Sequence, residues 1–355
     1  MSAAANDRKA VGVLASMVVI GAGLLAIPFF LTPPAYLDLA LRDAVFASDL
    51  AERQATITEE RTGKTVATVV EKIGGAFVAR IGRINSGPVA FTAHIPGYKP
   101  RTAHVEAAAL QTVRVPLDLT PEFGRLELTL ANATQRDQSV MATVKEGTRA
   151  VTSEPQRSVT LDLPPGRHRL SAEAPGFCPS EREFDVQQGK VTKAALPLSP
   201  DLTGDEVARF VLGWRNEPRD LDTHFWKSDA HFPDAATVYF RNKDGLLPNG
   251  NLFAHLDVDQ LYPGAYETLT VRNTAEGSYR YFVHVYQGSG TIADAGASIQ
   301  VYTRGCQVRT FTPPPNCTFR IWNVATFHLS GGQVILDDVQ QCQPEGPIVI
   351  RKPAP

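Results

Sequence analysis

The chain has 355 residues, of which 43% are hydrophobic and 20% charged, and its formal net charge is −2 at pH 7. This composition excludes a wholly disordered chain, and the length allows two or three domains. The near-neutral charge, without a basic block, argues against a nucleic-acid partner. The 26 prolines and 27 glycines are typical of many short strands joined by tight turns.

Residues 10–31, AVGVLASMVVIGAGLLAIPFFL, carry no charge over 22 positions. A helix of this length spans a hydrocarbon core of about 30 Å, so we predict a transmembrane helix that holds the protein in the membrane. Arg8 and Lys9 precede it. They predict that residues 1–9 form a cytoplasmic tail and that the rest is periplasmic or otherwise extracytoplasmic, in a single-pass inner-membrane protein. A cleaved signal peptide is the alternative, although its apolar region is usually shorter, about 7–15 residues.

After this segment the chain shows almost no helical periodicity. Residues 32–52, TPPAYLDLALRDAVFASDLAE, are interpreted as a short, partly helical stalk. From residue 53 onwards apolar and polar residues alternate, as in TVATVVEKI and TVRVPLDL. This alternation predicts half-buried strands and an all-β protein.

An internal repeat occupies the next part of the chain. Gly87–Pro121 aligns without a gap to Gly166–Pro200, at an offset of 79 residues. Both copies contain a Pro-Gly pair, which predicts a tight turn, followed by an aromatic residue, Tyr98 or Phe177. We therefore predict two small β-sandwich modules, residues 53–120 and 124–200.

The second copy has the more specific motif. LPPGRHRLSAEAPGF, residues 163–177, resembles the carboxypeptidase-regulatory-like and PEGA-type modules of bacterial envelope proteins. The resemblance covers most of both copies. It implies that these modules are spacers or binding platforms rather than enzymes.

A third domain is predicted for residues 205–342, followed by a tail at residues 343–355. Its spaced motifs resemble the bacterial YfaP-like envelope family, whose biochemical role is not established, so the resemblance implies a β-sandwich fold. Where the family's loop reads Gly-Pro-Glu, this chain reads Ala265-Tyr266-Glu267. The matching positions are Trp214, Asp220 to His224, Leu256 to Asp259, Gly264 with Glu267-Thr268, Gly277 to Val283, and Trp322.

Two acidic strands in this domain are candidates for a metal site. In a strand, alternate side chains share a face, so RDLDTHFW places two aspartates beside His224, and AHLDVDQ places two more beside His255. Carboxylates held close together repel, and a hard cation such as Ca²⁺, which takes about 6–8 oxygen ligands, removes that repulsion. The predicted Ca²⁺ ligands are Asp220, Asp222, Asp257, Asp259 and Glu267.

Three other interpretations of these residues stay open. In the first, the aspartates cap neighbouring amides or pair with nearby basic residues, as aspartates at strand ends commonly do. A transition-metal site would use Asp220, Asp222, His224 and His255. A hydrolase would need Asp222 and Asp257 as paired carboxylates.

Aromatic residues supply a candidate ligand-binding face. YRYFVHVY places Tyr279, Tyr281, Val283 and Val285 on one face of a strand, which we expect in the core. The opposite face is a candidate for glycan or protein binding, unless both faces are buried between sheets. The proposed contacts of such a ligand are His224, Tyr262, Tyr266 and Tyr286.

The four cysteines lie beyond the predicted membrane segment and form no CxxC pair. An oxidising compartment allows disulfides. CQVRTFTPPPNC predicts a local loop closed by Cys306 and Cys317, which leaves Cys178 to pair with Cys342. Two free buried thiols are the alternative for the second pair.

The chain lacks GxSxG, HExxH, P-loop and dinucleotide-binding signatures. We therefore predict three β-sandwich domains in series behind one transmembrane helix, in a non-enzymatic envelope protein that binds a protein or glycan in a Ca²⁺-dependent manner. One alternative is a structural subunit of a larger envelope assembly. Another is a hydrolase of glycans or peptides.

Overall fold

The computed structural model describes residues 33–228 and 237–344. These residues form strands, turns and loops without a helix, so the predicted all-β sandwich class is confirmed for them. None of the described segments is a helix long and apolar enough to cross a membrane. The transmembrane helix predicted at residues 10–31, the cytoplasmic tail before it and most of the C-terminal tail lie outside the described residues.

The first module is one seven-stranded sheet in the order β6-β5-β2-β3-β4-β1-β7. The sheet curls until its two edge strands, β6 and β7, come into contact, which encloses a core of alternating apolar side chains. Its strands are β1 Pro34–Asp43, β2 Gln54–Glu59, β3 Thr65–Ile73, β4 Ala76–Asn85, β5 Gly87–His94, β6 Arg101–Ala107 and β7 Thr112–Leu119.

The stalk predicted for residues 32–52 is wrong over its described part. Residues 34–43 form β1, which pairs antiparallel with β4 and parallel with β7 inside the first module. The reason is a strict alternation in which Leu37, Leu39 and Leu41 are buried and the residues between them are not. That period of two belongs to a strand with one face on a core. The module therefore begins at β1, not at residue 53.

The second module is a sandwich of two sheets, ordered β10-β9-β12-β13 and β11-β8-β14. Leucine and valine side chains from both sheets fill the space between them. Its strands are β8 Gly124–Asn132, β9 Thr143–Glu146, β10 Arg149–Ala150, β11 Ser158–Leu163, β12 Gly166–Glu173, β13 Ser180–Val186 and β14 Val191–Leu198.

The predicted repeat is confirmed in detail. Strands β5, β6 and β7 recur as β12, β13 and β14, with both ends displaced by the same 79 residues. Tyr98 pairs with Pro121 in the first copy as Phe177 pairs with Pro200 in the second. In each module the last strand also lies parallel to the first, β7 beside β1 and β14 beside β8. The repeated unit is therefore longer than the sequence alignment indicates.

The third domain packs a six-stranded sheet, β18-β19-β20-β15-β22-β23, on a five-stranded sheet, β17-β16-β21-β24-β25. The core-facing side predicted for YRYFVHVY is confirmed, since Tyr279, Tyr281, Val283 and Val285 are all buried. Its strands are β15 Glu206–Gly213, β16 Asp220–Lys227, β17 Thr237–Val238, β18 Asp244–Leu246, β19 Leu252–Val258, β20 Tyr266–Arg272, β21 Gly277–Gln287, β22 Ser298–Thr303, β23 Gln307–Phe311, β24 Ile321–Ser330 and β25 Gln333–Gln343.

Two disulfides are present, but the predicted pairing is wrong. Cys178 pairs with Cys306 and Cys317 with Cys342, with Cα–Cα distances of 5.2 and 5.4 Å. The predicted Cys306–Cys317 bridge fails because β23, an extended strand of 5 residues, lies between the two cysteines. Cys306 packs beside Cys178 in the cluster at the junction, whereas Cys317 lies in the core of the third domain, against which Cys342 packs. The Cys178–Cys306 bridge instead ties the second module to the third domain.

A buried arginine forms a further connection at this junction. The Arg182 guanidinium donates to the carbonyl oxygens of Ala195 and Ala265 at 2.9 Å and of Trp214 at 2.7 Å. Gly213 leaves room for it, because a Cβ there would lie 2.8 Å from the guanidinium carbon. Burial lowers the pKa of Arg182 to about 10, so the group stays charged at neutral pH. One side chain therefore satisfies backbone carbonyls on both sides of the junction.

We expect Arg182→Met to lower the free energy of unfolding by about 1–3 kcal/mol, because it leaves buried carbonyl oxygens without a donor. Arg169→Met is the matched control, since Arg169 lies on neighbouring β12 and its salt bridges are exposed to solvent. The control should change stability by less than about 1 kcal/mol. Urea unfolding of the full chain, followed by circular dichroism, measures both. Equal effects of the two substitutions would contradict this account of the junction.

Candidate functional site

The candidate site lies where the N-terminal half of β16 has an open edge. Among the described residues, β17 pairs with β16 only opposite Phe225 and Trp226. Further along that edge, the side chain of Glu267, from β20 of the other sheet, occupies the position of a neighbouring strand. Its Oε2 accepts a hydrogen bond of 2.7 Å from the backbone N–H of Thr223. A carboxylate from one sheet therefore reaches the edge of the other.

The charges of four carboxylates at this edge act on one another, and we call these residues the acidic cluster: Asp220, Asp222, Asp259 and Glu267. Asp220 and Asp222 are each 2% exposed and Glu267 is 1% exposed. In each of the four, one buried oxygen has no hydrogen-bond partner among the described residues. These atoms are Asp220 Oδ1, Asp222 Oδ2, Asp259 Oδ1 and Glu267 Oε1.

The described residues compensate little of this negative charge. Lys243 Nζ lies 2.8 Å from Asp259 Oδ2, and this is the salt bridge that the described residues form with the acidic cluster. Arg219 contributes a weaker attraction to Asp220, and its guanidinium lies 4.6 Å from the Tyr262 ring. Asp222 and Glu267 form no salt bridge within the described part of the chain. The acidic cluster is therefore short of positive charge.

The electrostatic cost appears in the pKa values. Burial, with further contributions from the charges of Asp220 and Asp259, raises the pKa of Asp222 to about 8. Burial and Asp259 raise the pKa of Asp220 to about 6. Burial, then Asp222, raises the pKa of Glu267 well above its usual range. The ionised carboxylates thus destabilise one another, and a bound cation would reverse this effect.

Four of the five predicted Ca²⁺ ligands influence one another electrostatically, whereas Asp257 does not act on the acidic cluster. Asp257 lies on the outer face of the six-stranded sheet, where its Oδ2 accepts a hydrogen bond of 2.7 Å from Thr270. The charges that act on it are His255, Arg209 and Glu206. The cause is the end of β19 at Val258, because the chain turns there and Asp259 leaves the face that Asp257 occupies. The hydrolase pair of Asp222 and Asp257 is likewise not formed.

A second group of ligating atoms shares Asp222. The carboxylate of Asp222 and the imidazoles of His224 and His284 offer one atom each within 4.8 Å of one another. His255, which the sequence placed with the metal ligands, instead lies 2.6 Å from Asp244. His284 escaped the sequence analysis because it is brought in by register alone: it stands opposite Asp222 on β21.

Aromatic rings hold His224 in place. Its ring stacks on Phe282 with centroids 4.5 Å apart and on Tyr239 with centroids 5.6 Å apart. Burial lowers the pKa of His224 to about 3, with a further contribution from His284. The His224 imidazole is therefore neutral at pH 7. A neutral imidazole in a fixed orientation can serve as a metal ligand.

The predicted ligand-contacting tyrosines divide into two kinds. Tyr262 is 55% exposed, and Arg219 Nη2 donates to its hydroxyl at 2.8 Å. Tyr286 is 45% exposed and packs beside Phe240. Tyr266 is buried, and its hydroxyl donates to the Asn132 carbonyl in the second module. The prediction for Tyr266 is therefore wrong, because its ring belongs to the junction between domains.

No family model and no curated protein matches the chain. Among solved structures, the Bacillus anthracis TIE protein is 12% identical, with a TM-score of 0.25, over 70% of this chain and 45% of its own. A homologue of telluride resistance protein (TerD) from Streptomyces coelicolor is 17% identical, with a TM-score of 0.31, over 41% of this chain and 94% of its own.

A shaft pilin, spaA, from Lactobacillus rhamnosus GG is 9% identical, with a TM-score of 0.29, over 49% of this chain and 99% of its own. This chain spans less than half of the TIE protein. Likenesses at these identities and TM-scores carry no argument about function.

We expect metal-free protein to become less stable as pH rises, because the folded-state pKa values of Asp220 and Asp222 lie above the unfolded value. A raised carboxyl pKa contributes stability that is present below the unfolded pKa, about 4, and is lost as pH passes the folded values, about 6 and about 8. Asp222→Asn should remove much of this dependence and raise Tm at pH 8 in EDTA. Asp244→Asn, at an exposed carboxylate, is the control. An unchanged pH dependence in Asp222→Asn would contradict the account.

Proposed function

We propose that this chain is a non-enzymatic binding protein of the cell envelope whose third domain takes up Ca²⁺ in the acidic cluster. The observation that carries the proposal is the set of four buried carboxylate oxygens without hydrogen-bond partners. A buried polar atom left unpaired costs about 1–3 kcal/mol, and more when it is charged. A ligand that contacts all four oxygens best explains why they lie at one sheet edge without hydrogen-bond partners.

The donor set favours Ca²⁺ over other ions. The acidic cluster contains only oxygen donors, which suit a hard cation. Its four carboxylates provide up to eight oxygens, and Ca²⁺ accepts about 6–8 at distances of about 2.3–2.6 Å in flexible geometry. Mg²⁺ demands near-octahedral geometry and usually keeps several waters, so a crowded all-carboxylate site suits it less well.

The surroundings of the acidic cluster support a binding role. Arg219, whose charge acts on Asp220, is partly exposed and lies over the ring of Tyr262, which is 55% exposed. An aromatic ring with a charged partner next to a cation is a suitable surface for a glycan or a polar protein loop. On this proposal, the two repeated modules act as the spacers that their resemblance to PEGA-type domains implies.

The proposed location of the protein rests on the predicted membrane segment and on the cysteines. In this proposal residues 10–31 anchor the chain in the inner membrane, with the three domains in the periplasm. Disulfides are common in oxidising compartments and rare in the cytosol. The two disulfides therefore support a periplasmic location of the three domains.

The junction favours a second candidate function, a structural subunit of a larger envelope assembly. The second module and the third domain are joined by the Cys178–Cys306 disulfide and by the buried Arg182. Such a connection resists bending, which suits a part that must hold neighbours at fixed spacing.

Calorimetric titration of Ca²⁺ into the metal-stripped full chain in detergent tests the first proposal. We expect one site, with a Kd at or below the roughly 10⁻⁴–10⁻³ M of extracellular modules. At a Ca²⁺ concentration about 100 times Kd, binding should stabilise the domain by about 2.7 kcal/mol. Glu267→Gln and Asp220→Asn should weaken binding at least about tenfold, since even outer partners of metal ligands contribute that much.

Asp257→Asn is the matched control, since it removes a buried carboxylate that lies outside the acidic cluster. It should bind Ca²⁺ as the unaltered protein does. Absence of binding heat and of a Tm increase in folded protein would refute the Ca²⁺ proposal. So would an equal loss of affinity in Asp257→Asn.

A further inference from the structure

Two imidazoles and a carboxylate meet on the outer face of the five-stranded sheet. Asp222 and His224 are alternate residues of β16 and therefore point to the same side. His284 on β21 is the direct cross-strand partner of Asp222. Side chains of directly opposed residues in a β-ladder start only about 4.5–5.5 Å apart at Cβ. Two strands thus present three ligating groups to one point.

The distances suit a single small ion. The ligating atoms of Asp222, His224 and His284 lie within 4.8 Å of one another. In a tetrahedral Zn²⁺ site with bonds of about 2.0–2.2 Å to nitrogen and oxygen, two donors lie roughly 3.3–3.6 Å apart. A small rotation about side-chain bonds covers the difference. The stacked rings of Phe282 and Tyr239 already restrict His224 to one orientation.

The donor chemistry differs from that of the acidic cluster. Imidazole nitrogen is a good ligand for Zn²⁺, Cu²⁺ and Ni²⁺, whereas Ca²⁺ prefers oxygen. Asp222 belongs to both groups, since its carboxylate also faces Asp220 and Asp259. Its two oxygens allow one carboxylate to contact an ion on each side.

We propose that Asp222, His224 and His284 form a second cation site, for a divalent transition ion such as Zn²⁺, with Asp222 shared between it and the Ca²⁺ site. The imidazole site shares Asp222 with the acidic cluster, and its other two ligands, His224 and His284, are not members of that cluster. The two sites can therefore be lost separately.

Zn²⁺ titration into metal-stripped, tag-free full chain tests the proposal, with the Co²⁺ absorption spectrum as a report on nitrogen coordination. We expect one Zn²⁺ per chain. His284→Ala should weaken Zn²⁺ binding by about 100-fold or more, since even outer partners of metal ligands contribute about 10–100-fold. His328→Ala is the matched control: His328 is also a partly exposed histidine, 3.2 Å from Asp337 on the neighbouring strand. It should leave Zn²⁺ binding unchanged.

The variants separate this proposal from the previous one. Glu267→Gln should lose Ca²⁺ binding and keep Zn²⁺ binding, His284→Ala should do the reverse, and Asp222→Ala should lose both. A thermal melt confirms folding in each variant, so the Zn²⁺ result stands even if Ca²⁺ does not bind. Full Zn²⁺ affinity in His284→Ala, an equal loss in His328→Ala, or no Zn²⁺ binding by the unaltered protein would overturn the proposal.

Discussion

The third domain buries more carboxylate groups than the basic side chains of its described residues neutralise. Its stability depends on how this excess negative charge is relieved. Asp222 and Glu267 are buried at the open edge of β16 and have no salt-bridge partner in the described chain, while Asp259 is paired with Lys243. A domain of this size is stable by only about 5–15 kcal/mol, so several unpaired buried charges are a large fraction of its stability. Protonation relieves part of the cost, as the raised pKa values of Asp220 and Asp222 indicate. A cation relieves all of it, which links the stability of the fold to the proposed function.

The two repeated modules lie on the N-terminal side of the domain that holds this edge. The two repeated modules end in strands that return beside their first strands, so each module closes on itself before the next begins. The second module is then joined to the third domain by Arg182, by the Tyr266 hydroxyl and by the Cys178–Cys306 disulfide. These contacts lie on the six-stranded sheet, whereas the imidazole group lies on the outer face of the other sheet. The junction therefore leaves that outer face uncovered by the second module.

Local patterns in the sequence were enough to predict the strands, the all-β class, the repeat and the shared face of Asp222 and His224, because each depends on a period of two or on nearby turn residues. What failed depends on long-range register. The disulfide pairing required the direction of β23, and the exclusion of Asp257 required the end of β19 at Val258. The position of His284 opposite Asp222 depends on the pairing of β21 with β16. The strand β1 was misassigned although its alternation was visible, because it is separated in sequence from the strands it joins.

Cation binding in the acidic cluster can be observed directly in an anomalous-difference map. The crystals are grown with a lanthanide, such as Tb³⁺, in place of Ca²⁺. The account predicts one strong peak enclosed by Asp220, Asp222, Asp259 and Glu267, at about 2.3–2.6 Å from their oxygens. The decisive atoms are the four oxygens that lack hydrogen-bond partners. A map with no peak there, with those oxygens hydrogen-bonded to ordered water or to each other through shared protons, would contradict it.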